Sequence, residues 1–351
     1  MLPNVAIIYL SYNTRKYLPD VFDSLEKLNY PKEKCEIVVV DNDSKDESVE
    51  WLHQKQGITF FPSGENLGFA EGNNLGIKHA LLGGAEYVYL LNGDAKLHPD
   101  ALMEAVKIAE QDRTIGSVQS RIMLWKFPEI VNVTGGMVHF LGFGFARDNG
   151  KTWNRIKDQY VDGEEITYSS GAAVLFRSSV LKHVGLLDPF LFLYHEDLEL
   201  GWRIWLSGFK NVLSLKSIAY HDYEFKRSIK KFYWMERNRI LVHVSHLRWW
   251  SLALLSPFLL CTEIGLLVFA VKGGWIKEKL LVYRDLLSPR TWMYVMRKRR
   301  ESRALRRVED RDIVKRWTGA IEHQETDSLA VRYVINPLLS GMWMVLKGLI
   351  R

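Results

Sequence analysis

The sequence predicts an α/β fold, with a mostly parallel sheet flanked by helices, followed by a helical region that associates with a membrane. Strand-like apolar runs alternate with helical patterns over the first 221 residues, and acidic clusters follow several of these runs. Residues 1–221 carry 22 Lys and Arg against 28 Asp and Glu, whereas residues 222–351 carry 25 against 13. This change of sign predicts two parts, 1–221 and 222–351, that face different partners.

Short apolar runs bounded by turn residues predict the strands of the first part. They are Val5–Leu10, Glu36–Val40, Ile58–Phe61, Tyr87–Leu91 and Gly116–Gln119. The segments between them predict helices over Leu18–Leu28, Ala70–Leu82 and Ala101–Glu110, and one through Trp51 that a capping box from Ser44 to Glu47 begins. Residues 132–168, rich in glycine and aromatic side chains, are expected to form a hairpin or loop insertion over a crevice.

The cysteine content and the first strand limit the classes of protein. Cys35 and Cys261 are the only cysteines, which supports neither a disulfide framework nor a zinc cluster and favours a reducing, cytoplasmic compartment. No positively charged leader precedes Val5–Leu10, so a secretory signal is not expected. The dinucleotide fingerprint is absent after that strand, which disfavours an NAD-dependent oxidoreductase.

Three acidic clusters lie where strands or loops should end. They are Asp41-Asn42-Asp43, Asn92-Gly93-Asp94 and His195-Glu196-Asp197. Carboxylates at the carboxyl ends of neighbouring strands converge on one crevice of an open α/β sheet, and such a charge calls for a cation. Each cluster alone also fits a simpler interpretation, because Asp and Asn favour turns and helix caps.

Two further segments also allow both a functional and a purely structural interpretation. The glycine- and amide-rich stretch Gly64–Asn74 suits close approach to a phosphate at a helix start, or simply a helix cap. Leu198, Trp202, Trp205 and Leu206 form one apolar helix face. Glu199 and Arg203 lie at i, i+4 on another face, where a supporting ion pair is the simpler interpretation.

In this order the segments resemble the inverting glycosyltransferases of family 2, whose GT-A (Rossmann-like) fold binds nucleotide sugars. Bacterial rhamnosyltransferase-like members have the most similar pattern, and the resemblance extends from Val5 to about Asp222. The segments that carry it are Ser11-Tyr12-Asn13, Val40-Asp41-Asn42, Asn66-Leu67-Gly68-Phe69-Ala70, Leu90-Leu91-Asn92-Gly93-Asp94, Ser170-Gly171-Ala172, Leu187-Asp188 and Glu196-Asp197-Leu198-Glu199-Leu200.

The resemblance implies a role for each matching residue. Asp197 would be the catalytic base, with Glu196 the less favoured choice, and Asp94 and His221 would hold Mg²⁺ or Mn²⁺ on the donor diphosphate. The implied donor-binding residues are Tyr12, Asn13, Asp41, Asn66, Gly68, Asn92 and Arg203. Asn92 stands where many members have aspartate, and Gly93 is also less usual, so metal binding is expected to depend more on the substrate.

The second part of the chain predicts membrane association. Residues 249–271 form an apolar stretch long enough to span a bilayer, but Pro257 and Glu263 interrupt it, so an in-plane or re-entrant helix is preferred over a span or a core helix. A basic run, Arg297–Arg300 with three further arginines, suits anionic headgroups, and Ile335–Ile350 suits a second surface helix. A solvated helix face is the simpler interpretation of the basic run, and nucleic-acid binding is disfavoured.

The expected function is therefore metal-dependent transfer of a sugar, from a donor such as dTDP-rhamnose or a UDP-sugar, to a hydroxyl of a glycan or a polyprenyl-linked acceptor. The expected place is the cytoplasmic face of a membrane, with peripheral or monotopic attachment. The alternative is a nucleotide-sugar-binding protein without transfer activity, which Asn92 favours and the Glu196-Asp197 pair opposes. The sugar, the nucleotide, the acceptor and the oligomeric state are not specified by any motif.

Overall fold

In the computed structural model, residues 2–223, 229–321, 329 and 331–351 are described, and the first part of the chain alternates strands with helices. The strands are β1 (Val5–Ser11), β2 (Cys35–Asp41), β3 (Thr59–Pro62), β4 (Tyr87–Asn92), β5 (Ala95–Leu97), β6 (Ile115–Leu124), β7 (Val131–Val133), β8 (Gly136–Val138), β9 (Gly144–Ala146), β10 (Ala173–Arg177) and β11 (Lys210–His221). The five predicted strands are all present, with ends that move by a few residues.

The helices of the first part pack against both faces of the sheet. They are α1 (Leu18–Glu26), α2 (Ser48–His53), α3 (Gly68–Leu82), α4 (Ala101–Gln111), α5 (Trp153–Ile156), α6 (Ser178–Val184) and α7 (Glu196–Leu206). The second part contains α8 (Ile229–His246), α9 (Trp249–Lys272), α10 (Ile276–Leu286), α11 (Pro289–Leu305), α12 (Asp310–Val314) and α13 (Asn336–Leu349).

The main sheet has the strand order β3-β2-β1-β4-β10-β6-β11-β5, and β7 pairs with β6. Strands β1, β2, β3 and β4 are parallel neighbours, whereas β10 runs antiparallel to both β4 and β6. The carboxyl ends of β1, β2 and β4 therefore open onto one edge. Their largely buried, apolar sequences suit a sheet covered on both faces, as predicted.

The segment 132–168 contains a short hairpin, β8 with β9, as the sequence analysis expected. The predicted capping box was wrong, because α2 begins at Ser48 after Glu47 and has no side-chain cap. Ser44 instead bonds to the carboxylate of Asp41, which draws its hydroxyl away from the helix start.

Helices α8, α9, α12 and α13 of the second part share a hydrophobic core with α7. Trp202 of α7, Val242 of α8, Leu255 of α9, Trp317 and Trp343 all belong to one cluster of buried side chains. Burial of large aromatic side chains contributes several kcal/mol to such a junction. The basic, Trp-rich region is therefore packed onto the helix that carries Glu196 and Asp197.

Helix α9 is the exception to this burial. Among the described residues it is the one helix long and apolar enough to cross a membrane, with a mean hydropathy of 2.1, and only 11% of its most apolar window is buried. A core helix would be mostly buried, so the exposed surface of α9 argues against that alternative.

Candidate active site

A pocket of about 290 Å³ opens at the carboxyl ends of β1, β2 and β4. Six residues that the sequence analysis assigned to the donor and the metal contribute to its wall: Tyr12, Asn13, Asn66, Gly68, Asn92 and Asp94. Its other lining residues are Leu10, Thr14, Tyr17, Asn42, Phe69, Gly93, Phe192 and Leu193. The loops after β1 and β2 and the Asn92-Gly93-Asp94 triplet are thus neighbours in space.

Hydrogen bonds fix the loops after β1 and β2 to one another. The backbone N–H of Asn13 donates to Oγ of Ser44 at 2.8 Å, and the N–H of Lys45 donates to Oδ1 of Asn13 at 2.7 Å. Asp41 lies beneath this contact, only 1% exposed, and accepts bonds from Ser11 and Ser44. Its carboxylate orders the two loops and does not itself line the pocket.

The turn at the start of α3 is shaped by two amides. Oδ1 of Asn42 accepts from the N–H of Leu67 at 2.9 Å, and Oδ1 of Asn66 accepts from the N–H of Gly68 at 2.9 Å. Gly68 has a φ of +74°, and a Cβ there would lie 2.5 Å from the ring of Phe192. Glycine is therefore required at this position by both the backbone angle and the space.

Gly93 is required for a different reason. Its φ is not positive, but a Cβ would lie 2.4 Å from Cγ2 of Thr14 and 2.8 Å from the carbonyl oxygen of Leu10. The carbonyl of Gly93 also accepts a bond from the hydroxyl of Tyr9 at 2.8 Å. The close approach of β4 to the loop after β1 explains why this chain has glycine in the Asn-Gly-Asp triplet.

Sheet register brings Asp94 to His221. Strand β5 leaves β4 and pairs antiparallel with the end of β11, where Ala95 faces His221. Nε2 of His221 lies 3.0 Å from Oδ1 of Asp94, and Nδ1 lies 3.0 Å from Oδ1 of Asn132. Asp94 and His221 are 127 residues apart in the sequence, so no local pattern connects them and only the family resemblance predicted that they meet.

The chemistry of this pair fits a divalent cation. When Nδ1 of His221 donates to Asn132, the lone pair of Nε2 faces a carboxylate oxygen of Asp94, and a proton or a cation must separate these two acceptors. Two neighbouring ligands of an octahedral ion with bonds of about 2.1 Å are about 3.0 Å apart. Within the described ranges no group of three or more His, Cys, Asp or Glu side chains is placed to hold a metal, so an ion held by this pair would take its other ligands from substrate and water.

The carboxylate of Asp197 is connected to the same edge of the sheet through backbone. Its Oδ2 accepts from the N–H of Gly171 at 3.3 Å and its Oδ1 from the N–H of Leu198 at 2.7 Å. The next residue, Ala172, accepts through its carbonyl from the N–H of Asn92 at 3.0 Å. Asp197 does not line the pocket, but Gly171 and Ala172 connect its carboxylate to Asn92 at the start of the Asn-Gly-Asp triplet.

Glu196 and Asp197 have different environments. Asp197 is partly exposed, whereas Glu196 is 5% exposed and its Oε2 has no hydrogen-bond partner among the described residues. Burial raises the pKa of Asp197 above its ordinary value of 3.8, while bonds from Gly171 and Leu198 oppose that change. Burial, and then the charge of Asp197, raise the pKa of Glu196 well above 4.5.

These directions set an order of ionisation for the two carboxyl groups. Asp197 ionises first and its side chain is partly exposed, whereas the buried Glu196 holds its proton longer. Since the pKa of Glu196 is higher in the folded state than in the unfolded state, its protonated form stabilises the fold fully below pH 4.5. That stabilisation is lost as the pH rises through the folded-state pKa.

The loop before this pair is strained. Phe192, Tyr194 and His195 have φ angles of 62°, 66° and 69°, in the left-handed region that side chains other than glycine rarely adopt. Such residues cost of order 1–3 kcal/mol each and persist only where surrounding structure holds them. The N–H of Phe69 bonds to the carbonyl of Phe192 at 2.8 Å, so the loop also forms the wall of the pocket.

Asn238 of α8 holds this loop, and the sequence analysis did not identify it. Its buried amide, 0% exposed, donates to the carbonyls of Leu191, Leu193 and Tyr194 at 2.8, 3.0 and 2.8 Å. No signal in the sequence singles out this amide, because its partners are more than 40 residues away. The second part of the chain therefore completes the first part's site.

Arg203 is not brought to the pocket. Its guanidinium pairs with Glu199 at 2.6 Å and donates to the carbonyls of Val184 and Leu186, and it is buried. The contact is the supporting i, i+4 ion pair that was the simpler interpretation of Glu199 and Arg203 in the sequence. Glu199 also accepts from His246 of α8 and contacts Lys298 of α11. Arg203 thus positions α7 from within the core.

Residues 6–185 match Glycosyl transferase family 2, which is half of the chain, and the chain belongs to that family. A low-salt glycan biosynthesis hexosyltransferase, Agl10 of Haloferax volcanii, is 25% identical over 207 residues, covering 58% of this chain and 62% of that protein. The N-acetylglucosaminyl-diphospho-decaprenol L-rhamnosyltransferase of Mycobacterium tuberculosis is 26% identical over 236 residues, covering 60% of this chain and 73% of that protein.

Solved structures agree on the fold. GalNAc-T7 with UDP, GalNAc and Mn²⁺ has a TM-score of 0.58 at 18% identity, covering 71% of this chain and 49% of that one. The mannosyltransferase PcManGT of Pyrobaculum calidifontis, with GDP-Man and Mn²⁺, has a TM-score of 0.50 at 18% identity and covers 87% of each chain. The fold is the GT-A α/β fold that the resemblance implied. The chain spans 62% of the length of Agl10.

Proposed function

We propose that this chain is an inverting glycosyltransferase that moves a sugar from a nucleotide diphosphate donor to a hydroxyl of a glycan or polyprenyl-linked acceptor. One observation carries the proposal: the carboxylate of Asp197 is tied through Gly171 and Ala172 to the strand end that presents Asp94 and the nucleotide-side residues. A base and a diphosphate site at one crevice are what such a transfer requires. The relatives named for hexosyl and rhamnosyl transfer support a hexose or rhamnose as the transferred sugar. The nucleotide is proposed from the family resemblance alone, as a UDP-sugar or dTDP-rhamnose.

Asp197 acts as the general base. Its ionised carboxylate takes the proton of the acceptor hydroxyl while that oxygen forms a bond to the anomeric carbon. The bond from the same carbon to the diphosphate oxygen breaks, and the nucleoside diphosphate leaves with the electron pair. Attack opposite to the leaving group inverts the anomeric configuration. A raised pKa suits a base, and general-base help contributes roughly 10²–10⁴-fold.

Asp94 and His221 would hold Mg²⁺ or Mn²⁺ at the diphosphate. When bound, the ion neutralises charge on the leaving group. Asn132 orients the ring of His221 from behind through Nδ1, which leaves Nε2 for the ion. Two ligands from the protein leave most positions to the donor's phosphate oxygens and to water, so the ion and the donor should bind together.

The second part, residues 222–351, is proposed to seat the enzyme on the cytoplasmic face of a membrane. An exposed apolar stripe runs along α9, formed by Trp249, Leu260, Ile264, Val268 and Val271. These side chains repeat at helical spacing and lie on one side of the helix. Burial of such a face in the headgroup and acyl boundary would anchor the chain.

The packing of α9 favours an in-plane arrangement over a span. Glu263, near the middle of the helix, accepts from Arg239 of α8 and from Lys279 and Tyr283 of α10, at 2.7 and 2.9 Å for the last two. Helices that carry these charged groups must lie beside the centre of α9. A bilayer-spanning α9 would bring them into hydrocarbon, where charges are costly.

The proposal is tested by transfer and binding measurements on Asp197→Asn. Candidate donors are first selected by thermal shift of the full chain with nucleotide diphosphate sugars, with and without Mn²⁺. We expect the variant to keep the donor affinity of the parent and to lose transfer by at least about 10²-fold. Parental turnover in the variant would remove Asp197 from the base role. Donor binding with no transfer by the parent protein would favour the alternative, a binding protein.

A further inference from the structure

A second pocket lies away from the crevice, where α8 ends, α9 begins and α11 passes by. Its volume is about 600 Å³. It is lined by Ser245, His246, Leu247, Arg248, Trp249, Met296, Arg299, Arg300, Ser302, Arg303 and Arg306. Five arginines and no carboxylate form this lining, and none of these residues lines the pocket beside Asp94.

The arginines differ in how they are held. Arg248 pairs with Glu309 at 2.8 Å and Arg306 with Asp310 at 2.7 Å, so acids outside the lining fix both side chains. Arg299 donates to the carbonyl of Val244, and its guanidinium lies 3.7 Å from the ring centre of Trp249. These contacts build one rigid side of a cationic pocket.

Arg300 and Arg303 form the other side. Both are exposed, and within the described ranges no acidic side chain lies within ion-pair distance of either guanidinium. Arginine presents planar donors that match phosphate oxygens in pairs. Two unneutralised arginines beside three fixed ones give this pocket the chemistry of a phosphate site.

The position of the pocket beside the exposed apolar stripe of α9 indicates which phosphate compound it binds. Trp249 is shared between the pocket and the exposed apolar stripe of α9, and Trp250 beside it is also exposed. Tryptophan is enriched where apolar and headgroup layers of a membrane meet. A ligand that fills both features has an anionic phosphate and an apolar tail next to it.

We propose that this pocket binds the phosphate of an anionic membrane lipid and so sets the height and orientation of the enzyme on the bilayer. This inference rests on the proposed membrane attachment through α9. Only part of the basic run of α11 faces this pocket. Lys298 is buried against Asp188 and Glu199, whereas its neighbours Arg299 and Arg300 line the pocket. Headgroup attraction is therefore concentrated at one place on α11.

The test is co-sedimentation of the full chain with phosphatidylcholine vesicles, with and without phosphatidylglycerol. Arg300→Ala/Arg303→Ala should weaken binding to the anionic vesicles about thirtyfold, since each basic residue contributes on the order of 1 kcal/mol and about 1.4 kcal/mol is tenfold. The matched control is Arg290→Ala/Arg297→Ala, which removes the same charge from exposed positions of the same helix outside this pocket. The control should lose less than about threefold if the pocket concentrates the attraction.

Each of the other outcomes would refute one part of the proposal. Equal losses in the two double variants would show diffuse attraction and remove the pocket. Tight binding of inorganic phosphate without vesicles, dependent on Arg300 and Arg303, would make it a site for a soluble phosphate. Stronger binding of single-stranded RNA than of anionic vesicles would replace the lipid with nucleic acid. If the parent protein binds no vesicle of either kind, the proposed membrane attachment fails first.

Discussion

Replacement of Asn238 perturbs the catalytic loop from the opposite part of the chain. The amide hydrogens of Asn238 serve three carbonyls of the loop that precedes Glu196, at 2.8 to 3.0 Å. In Asn238→Ala these carbonyls lose a buried donor, and each unsatisfied group costs roughly 1–3 kcal/mol before water and relaxation compensate. We expect a net loss of unfolding free energy of about 2–4 kcal/mol.

The larger effect should be on turnover. The loop has left-handed residues at Phe192, Tyr194 and His195 that Asn238 holds in place, so loss of the amide lets the backbone before Asp197 relax. A displacement of about 1 Å at a catalytic group can cost about 10²-fold. We expect kcat to fall about 10²-fold and donor affinity to change less than about threefold. Asn238→Asp, which replaces donors by acceptors, should be at least as damaging.

The assay compares kcat, donor Kd and unfolding free energy for Asn238→Ala and a control. Leu241→Ala removes a buried side chain of the same helix that packs in a separate cluster with Tyr294 and Val295, and should cost about 2–5 kcal/mol. It should leave kcat per folded molecule near the parental value. A parental kcat in Asn238→Ala, or an equal loss in the control, would refute positioning by Asn238.

Three further outcomes follow from the site. Glu196→Gln should keep transfer and the fall of the transfer rate at acidic pH. Its unfolding free energy should exceed that of the parent progressively above pH 4.5, because the buried carboxyl no longer has to ionise. Loss of transfer in this variant would make Glu196 the base instead. Asp94→Asn should lower Mn²⁺ affinity, measured by calorimetry with a nucleoside diphosphate, by about 10–100-fold, and unchanged affinity would place the metal elsewhere. Gly93→Ala should lower the unfolding free energy by about 1–3 kcal/mol because the new Cβ meets Thr14. The control Gly341→Ala, with open space around the new Cβ, should be neutral or stabilising in thermal unfolding. Similar values for the two variants would refute the packing argument.

The sequence predicted five of the eleven strands of the first part because their signals are local. Buried runs such as Ile7-Ile8 and Val38–Val40 are β-branched and bounded by turn residues, so their type and position follow from a few neighbours. The short strand Ala95–Leu97 was missed because three residues carry no period, and it is set by pairing with the distant end of β11. That unpredicted strand is what brings Asp94 to His221.

The site was predictable to the same extent. Residues on loops that follow predicted strands, such as Asn13 and Asn66, line the pocket, because strand ends share an edge of the sheet. Asp41 and Arg203 carry charge in the right segments but are buried and satisfied by their own neighbours, and only packing decides that. Asn238 depends on contact between two parts of the chain, which no local pattern encodes.

A diffraction experiment with Mn²⁺ and a nucleoside diphosphate tests the central claim most directly. An anomalous difference map at a wavelength sensitive to manganese should show one peak bound by the carboxylate of Asp94 and Nε2 of His221, with the diphosphate in the pocket beside Asn92. The terminal phosphate should point toward the carboxylate of Asp197. A manganese peak away from Asp94, or a diphosphate bound outside this crevice, would contradict the account.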